Sequence, residues 1–594
     1  MLGAPAFAQN ETQPEPTQAA SASTSRAKAG RVEITGAPAS LNADFRRLLR
    51  EEEKPTSLFE ARRQADRAAA IAAKLMESEG YFAAEVEAWA EGVDTYSRGV
   101  RVTPGPLFIY GSRKIDYLGP APDATTQAEL ESLLVNLEPG APASAQPVID
   151  AGDSIVRRLR QAGYPDARAD PVDALADGKQ HTIDLSFKLQ PGLRASFGEP
   201  VFSGLGRTRE DFVQALKPWK PGERVTPEKL DEFRNRLAET GIFNTASAKL
   251  SEEAQANADG TVTRDVEVQV TERKRRTIAL GASASTTEGA GLEAEWELRN
   301  LTGRADAINV KAQLATLERR LETTYSRPNI KRYGRNLELG ARIEDFETDA
   351  FDQTGASISA TIEERLTPRL RGSLGLEAGF ASIADQQTKL LGTGRRDVYL
   401  LTSSATAEYI GVRDILDPAN GVRARLSVEP GVTWGDTNIG FTRVSGEASL
   451  YKDLIGDKLS AAVRGKVGAI IGPNGAPPDR LFFAGGGGSV RGYEYQSLSP
   501  QDSAGELIGG RSLIETSAEL RWRASNRLGY VAFIDAGAAG TDIAPPIGDM
   551  RAGVGLGVRY YAGFGPLRAD IAIPLDKREG DADFQLYISI GQAF

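Results

Sequence analysis

Two periodicities divide the chain near residue 275. Before it, apolar residues recur at helical spacing between short alternating strands; after it the helical spacing disappears and strict alternation takes over. In GVRARLSVEP, Val422, Ala424, Leu426 and Val428 share one face, and Arg423, Arg425, Ser427 and Glu429 share the other. LSAAVRGKVGAII sets Leu459, Ala461, Val463, Val467 and Ala469 against Arg464 and Lys466. In LIETSAELRWR, Ile514, Thr516, Ala518, Leu520 and Trp522 oppose Glu515, Ser517, Glu519, Arg521 and Arg523. Such strands suit either a soluble sandwich with charges outside or a barrel with lipid outside and water within. The final segment, DFQLYISIGQAF, favours the barrel. Phe584, Leu586, Ile588, Ile590 and Phe594 fall on one face, with aromatic residues near both ends, where membrane barrels carry their girdles. At ~20 residues per strand and connection, residues 275–594 make roughly 16 antiparallel strands, an even number as single-chain outer-membrane barrels require.

The first half repeats one small plan three times: a strand, two helices, then glycine leading into two more strands. The units read as 31–105, 106–191 and 192–274, each a β-α-α-β-β module. In each, the second helix carries an apolar face at i, i+3, i+4 spacing, as at Leu230, Phe233 and Leu237, which must pack on the strands. Gly80, Gly163 and Gly241 stand where those helices end, a position glycine fills without steric cost. Such a module presents a sheet edge that can accept an extended peptide, or serves only as a spacer. Residues 1–30 read as a flexible lead-in rich in Ser, Thr, Gln, Pro and Ala, opening on an A-x-A pattern at Ala6 to Ala8 like the tail of a secretory signal.

Composition narrows the chemistry. The chain has no cysteine, three methionines and one histidine, His181, which excludes thiol catalysis and leaves histidine metal sites and triads without material. His181 reads as a strand-surface residue. There is no G-x-S-x-G elbow, so the expectation is a protein that is not an enzyme and needs no cofactor. A net charge of −10 argues against a nucleic-acid partner. No run of ~18 apolar residues provides a spanning helix, which leaves a strand-built membrane domain open.

The segment GGGGSVRGYEYQ, Gly485 to Gln496, has the glycines of a phosphate cradle but neither the lysine nor the helix that such a cradle needs. Instead VRGY, Val490, Arg491, Gly492 and Tyr493, resembles the signature of the outer-membrane assembly superfamily, in which POTRA modules precede a 16-stranded barrel. FIDAG supplies Phe533, Asp535 and Gly537, similar to the family's F-x-D-x-G strand motif; DPANG from Asp417, TSAEL from Thr516 and the segment from Gly553 to Leu575 also match. The resemblance implies that Val490 to Tyr493 form the tip of a loop folded back into the lumen. By period two, Phe533, Asp535 and Gly537 share one face and Glu519 lies on the charged face of its own strand, so the Arg491 fork is expected to grip Asp535 or Glu519.

Three modules resemble the TamA branch of this superfamily, since BamA carries five and two-partner secretion transporters two. The resemblance implies a factor in the outer membrane, its modules in the periplasm, that helps insert client barrels such as autotransporters with a TamB-like inner-membrane-anchored partner. The alternatives are a secretion pore exporting an unfolded chain and a general BamA-like assembly subunit. For assembly, the expected device is a weak barrel seam between the strand starting near Arg276, RRTIALGASAST, and the one ending at Phe594.

Overall fold

The computed structural model describes residues 29–49, 51–386, 388, 392–456, 458–562, 565–578 and 580–590. Most of the expected lead-in lies outside these residues, but Ala29 and Gly30 belong to the first unit, paired with Glu53 and Glu52.

The first α/β unit runs through strand Glu33–Thr35, helices α1 (Asn42–Leu48) and α2 (Leu58–Ser78), and strands Glu85–Glu91 and Ser97–Thr103. Ser57 caps α2 by accepting the Glu60 amide, and the stripe of Ala68, Ala72, Leu75 and Met76 lies against Val100 and Val102. The second unit has strand Ile109–Tyr117, α3 (Ala124–Ser132), α4 (Ala145–Gln161), and strands Asp173–Asp177 and Thr182–Gln190. Leu130, Ile155 and Leu159 are buried with Leu185, Phe187 and Leu189 of its central strand. The third has strand Ala195–Ser203, α5 (Glu210–Gln214), α6 (Pro227–Glu239), and strands Phe243–Leu250 and Val262–Glu272. Its helical face is as predicted: Leu230, Phe233 and Leu237 are all buried, with Phe233 edge-on to Trp219 at 5.0 Å.

Gly80, Gly163 and Gly241 end the long helices at φ +89°, +95° and +68°, the left-handed region where a side chain would be strained. His181 does not sit on a strand surface. It occupies the tight turn before Thr182 at φ +52°, its ring edge-on to Phe108 at 5.5 Å, because that connection needs a left-handed residue.

Beyond the units, alternation closes a sheet on itself. Strands β1 (Arg276–Ser285), β2 (Gly289–Arg299), β3 (Ala307–Ala315), β4 (Glu318–Arg327) and β5 (Arg335–Glu347) begin it. There follow β6 (Asp352–Arg365), β7 (Leu370–Ala384), β8 (Arg396–Ile410), β9 (Gly421–Gly435), β10 (Ile439–Ile455) and β11 (Leu459–Ile471). A long loop leads to β12 (Ser512–Arg523), β13 (Leu528–Gly540), β14 (Arg551–Ala562), β15 (Gly565–Pro574) and β16 (Gln585–Ile590). Each pairs antiparallel with its sequence neighbours, and β16 returns to β1, closing a 16-stranded barrel. No helix among the described residues is long and apolar enough to cross a membrane.

The predicted faces appear on the barrel wall. Val422, Leu426, Val428, Val432 and Trp434 point outward and are exposed, whereas Glu515, Ser517, Glu519 and Arg521 are buried inside. This inversion of a soluble protein's pattern marks the outer surface as lipid-facing. Aromatic residues stand near both ends of it: Phe380, Tyr399 and Trp434 toward the β9–β10 turn, and Trp522 with Tyr530 toward the β12–β13 turn. The apolar outer face is uneven in length. On the 15-residue β9 it runs from Val422 to Trp434, but on the 10-residue β1 only from Ile278 to Ala284, stopped by Arg276 and Thr286.

Candidate functional site

The loop between β11 and β12 turns back into the lumen because its own residues are apolar enough to be buried there. Phe482, Ala484, Val490, Tyr493 and Leu498 pack with Leu400, Phe441, Ile470, Leu513 and Ala539 of the wall. No helix follows the glycine run, so it forms no phosphate cradle. Gly492 takes φ +103°, and a Cβ there would come 2.9 Å from the Ile573 carbonyl oxygen. A Cβ on Gly537 would come 3.0 Å from Val490 Cγ2, and one on Gly553 would come 2.1 Å from the Arg491 carbonyl oxygen. The missing side chains on the wall make the bed in which VRGY lies.

Arg491 is 2% exposed and meets several strands at once. Its Nε donates to Asp535 Oδ2 at 2.6 Å, its Nη2 to Asp535 Oδ1 at 2.9 Å, and its own amide to Asp535 Oδ2 at 3.2 Å. Nη1 forms an ion pair with Glu519 Oε1 at 2.9 Å. The Phe533 ring lies 3.4 Å beneath the guanidinium carbon, a cation over an aromatic face. Tyr493 donates its hydroxyl to the Ala552 carbonyl at 3.0 Å and accepts the Asp576 amide at 3.2 Å. The structure thus brings Val490, Arg491, Gly492 and Tyr493 together with Glu519, Phe533, Asp535 and Gly537.

The terminal-strand residues are divided. Leu586 and Ile588 face outward on β16, Phe584 is exposed just before it, and the backbone of Ile590 pairs with Leu567; Phe594 lies outside the described residues.

The lock has members that the motifs did not reveal. Asp570 on β15 sits 3.2 Å from Arg491 Nη1 and binds Arg568 Nε at 2.6 Å and Arg559. Ser517 donates to Asp535, and Arg521 grips Glu519 through Nε at 2.9 Å. Tyr587 of β16 accepts the Gly492 amide at 3.1 Å. Period two puts Arg568 and Asp570 on the same lumen face, but only barrel closure shows which lumen carboxylate reaches the loop.

Residues 300–594 match the Omp85 superfamily domain. This half of the chain is an Omp85 barrel. A sorting and assembly machinery component 50 homolog from Xenopus tropicalis is 26% identical over 333 residues, 52% of this chain and 67% of that protein. The outer membrane protein assembly factor BamA of Nitratidesulfovibrio vulgaris is 24% identical over 437 residues, 70% of this chain but only 53% of that protein. In fold, the chain is similar to BamA from Haemophilus ducreyi lacking POTRA domains 1-3, with a TM-score of 0.66 at 18% identity over 81% of this chain and all of that one.

A second cluster fastens the third unit to the Omp85 barrel. Glu272, at the end of its strand, accepts the amides of Gly206, Arg207 and Thr208 at 3.1, 3.0 and 2.8 Å and the Thr208 hydroxyl at 2.6 Å. Burial pushes its carboxyl up, but these bonds outweigh it and hold the pKa below the ordinary value. Asn300, in the β2–β3 turn, donates to the Thr208 hydroxyl at 2.8 Å, and Arg209 donates its amide to Gly303 at 2.8 Å. On another side, Arg365 at the end of β6 grips Glu239 through two bonds of 3.0 and 3.3 Å, while Tyr333 donates to the same carboxylate. That grip offsets the unfavourable placement of an acid at the C-terminus of α6. Burial, then the Glu239 bond, pushes Tyr333 up to about 12, so it stays a donor at neutral pH. Segments this far apart in sequence carried no signal of the contact.

Arg491→Ala strands buried carboxylates at a cost of ~3–5 kcal/mol. The folded barrel is expected to lose its heat resistance on gels at a lower temperature, and the loop to become protease-sensitive; unchanged melting and digestion would overturn the lock. The exchange Arg491→Asp with Asp535→Arg is expected to restore only part of the loss, because it brings a carboxylate beside Glu519 and Asp570. At the second cluster, Glu272→Ala should speed amide exchange of Gly206, Arg207 and Thr208 by roughly tenfold, about 1.4 kcal/mol. Because its folded pKa is depressed, the Glu272 contribution is complete above ~pH 4.3 and fades as pH falls through the folded value, so protection in the parent and the variant should converge in acid.

Proposed function

We propose that this chain is an outer-membrane assembly factor that offers the edge of β1 as a template for strands of client barrels. The observation that carries the reading is the seam. Among the described residues, β1 pairs with β16 at Ala284 with Ile588 and Ser285 with Tyr587, and just beyond β1 the Thr286 amide donates to the Leu586 carbonyl at 3.1 Å, whereas β1 pairs with β2 at every position from Arg276 to Ser285. On the seam side of β1, Ala279, Gly281, Ala282, Ser283 and Ala284 add little cross-strand packing to resist opening. A client strand adding there would satisfy its backbone hydrogen bonds before leaving water for lipid, which supplies the driving force without nucleotide or catalytic group.

The three α/β units support the finer reading of a TamA-type factor, with autotransporters among its clients and a TamB-like inner-membrane-anchored protein docking on the units in the periplasm. Depleting the protein in its host and quantifying the outer-membrane and secreted proteomes together tests this. Several barrel proteins or autotransporters should fall in the membrane fraction. Loss of one secreted protein with an unchanged membrane would make it an export pore instead. The seam has its own test, since the chain has no native cysteine. A disulfide between Ala284→Cys and Ile588→Cys, directly opposite in register, should block client insertion until reduced.

A further inference from the structure

We propose that the lumen loop is also a brace across the seam, with Glu288 and Tyr587 as its positioning residues; this rests on the reading that the seam opens. The loop segment from Gly487 to Gly492 touches both sides of the seam. On the β16 side, Tyr587 is 3% exposed, its hydroxyl accepts the Gly492 amide at 3.1 Å, and its ring lies where a Cβ on Gly487 would come within 2.9 Å. On the β1 side, Glu288 stands in the β1–β2 turn, fixed by its amide donating to Ser285 Oγ at 2.8 Å, and its Oε1 accepts the Gly487 amide at 3.2 Å.

The two contacts differ in what they move with. Arg491 ties the loop to Asp535 of β13 and Asp570 of β15, so Tyr587 on the adjoining β16 belongs to the same block. Glu288 belongs to β1 and β2. Parting β1 from β16 therefore has to stretch the Glu288–Gly487 link or pull the loop off its bed, and the bed, with its buried ion pairs, is the stronger hold. A cavity of about 380 Å³ flanks the link, lined by Glu288, Gln313 and Glu318 on the barrel side and by Gly487, Gly488 and Tyr495 on the loop. The link is thus a single, breakable polar contact beside open space. The glycine run answers to the same geometry: a Cβ on Gly486 would come 3.2 Å from Glu288 Oε1, and one on Gly487 would collide with Tyr587.

The test uses the full-length chain in lipid vesicles, with Ala284→Cys and Ile588→Cys and limiting oxidant, so that the rate of disulfide formation reports how long the seam stays in register. Glu288→Ala should slow cross-linking by about threefold or more, the effect of losing one amide-to-carboxylate hydrogen bond. Glu288→Gln, whose carbonyl oxygen can still accept the Gly487 amide, should cross-link at the parental rate. Tyr587→Phe, which keeps the ring and loses only the hydroxyl that accepts the Gly492 amide and donates to the Tyr493 carbonyl, should also be slowed. Heat resistance of the barrel should be unchanged in both Glu288 variants, separating a brace from a general packing role. Parental rates in both Glu288→Ala and Tyr587→Phe would overturn the brace, as would equal slowing in Glu288→Gln. Client insertion that proceeds at full rate through the cross-linked protein would instead overturn the opening seam, whatever the cross-linking rates are.

Discussion

A guanidinium removed from water at the centre of a barrel has to be met by carboxylates, and the lumen is arranged around that requirement. Arg491 reaches Asp535 on β13, Glu519 on β12 and Asp570 on β15. Those carboxylates in turn engage Arg521, Arg559 and Arg568, so that removing any member leaves charge buried without its partner. The apolar residues of the loop explain why it leaves solvent, but they would accept many positions on a smooth wall. The fork and the glycine bed allow one.

Set against this lock, the described part of the seam is short. Elsewhere in the barrel, neighbouring strands share long antiparallel ladders, and charged side chains span the inner wall. Between β1 and β16 the described ladder is two residues long, and small side chains line the β1 side. The seam borders the lock, because β16 also carries Tyr587 into contact with the loop. The third unit is fastened to turns that follow β2, β4 and β6, the same side of the barrel to which β1 belongs.

Much of the fold was legible because the period of two and the helical period are local properties. The outward run on β9, the lumen charges on β12 and the glycines after α2, α4 and α6 fall where the pattern put them. The pairing of Arg491 with Asp535 and Glu519 was legible through motif residues. Asp570 and Tyr587 were not, although each stands on the face its strand's period assigns, because which lumen residue meets the loop is set by register and closure. Glu272 with Thr208 and Glu239 with Arg365 were hidden for the same reason. His181 was misplaced because a left-handed turn residue other than glycine leaves no mark in the hydrophobic pattern.

The uneven outer face has a consequence for the lipid. At a rise of ~3.4 Å per residue and a tilt of ~40°, the apolar height of β9 from Val422 to Trp434 is roughly 30 Å, close to a hydrocarbon core. On β1, from Ile278 to Ala284, it is roughly 16 Å. A bilayer cannot match both, and each ångström of mismatch costs a fraction of a kcal/mol in compressed or tilted acyl chains. The lipid layer that best fits β1 is therefore thinner than the one that best fits β9, so the mismatch falls beside the seam.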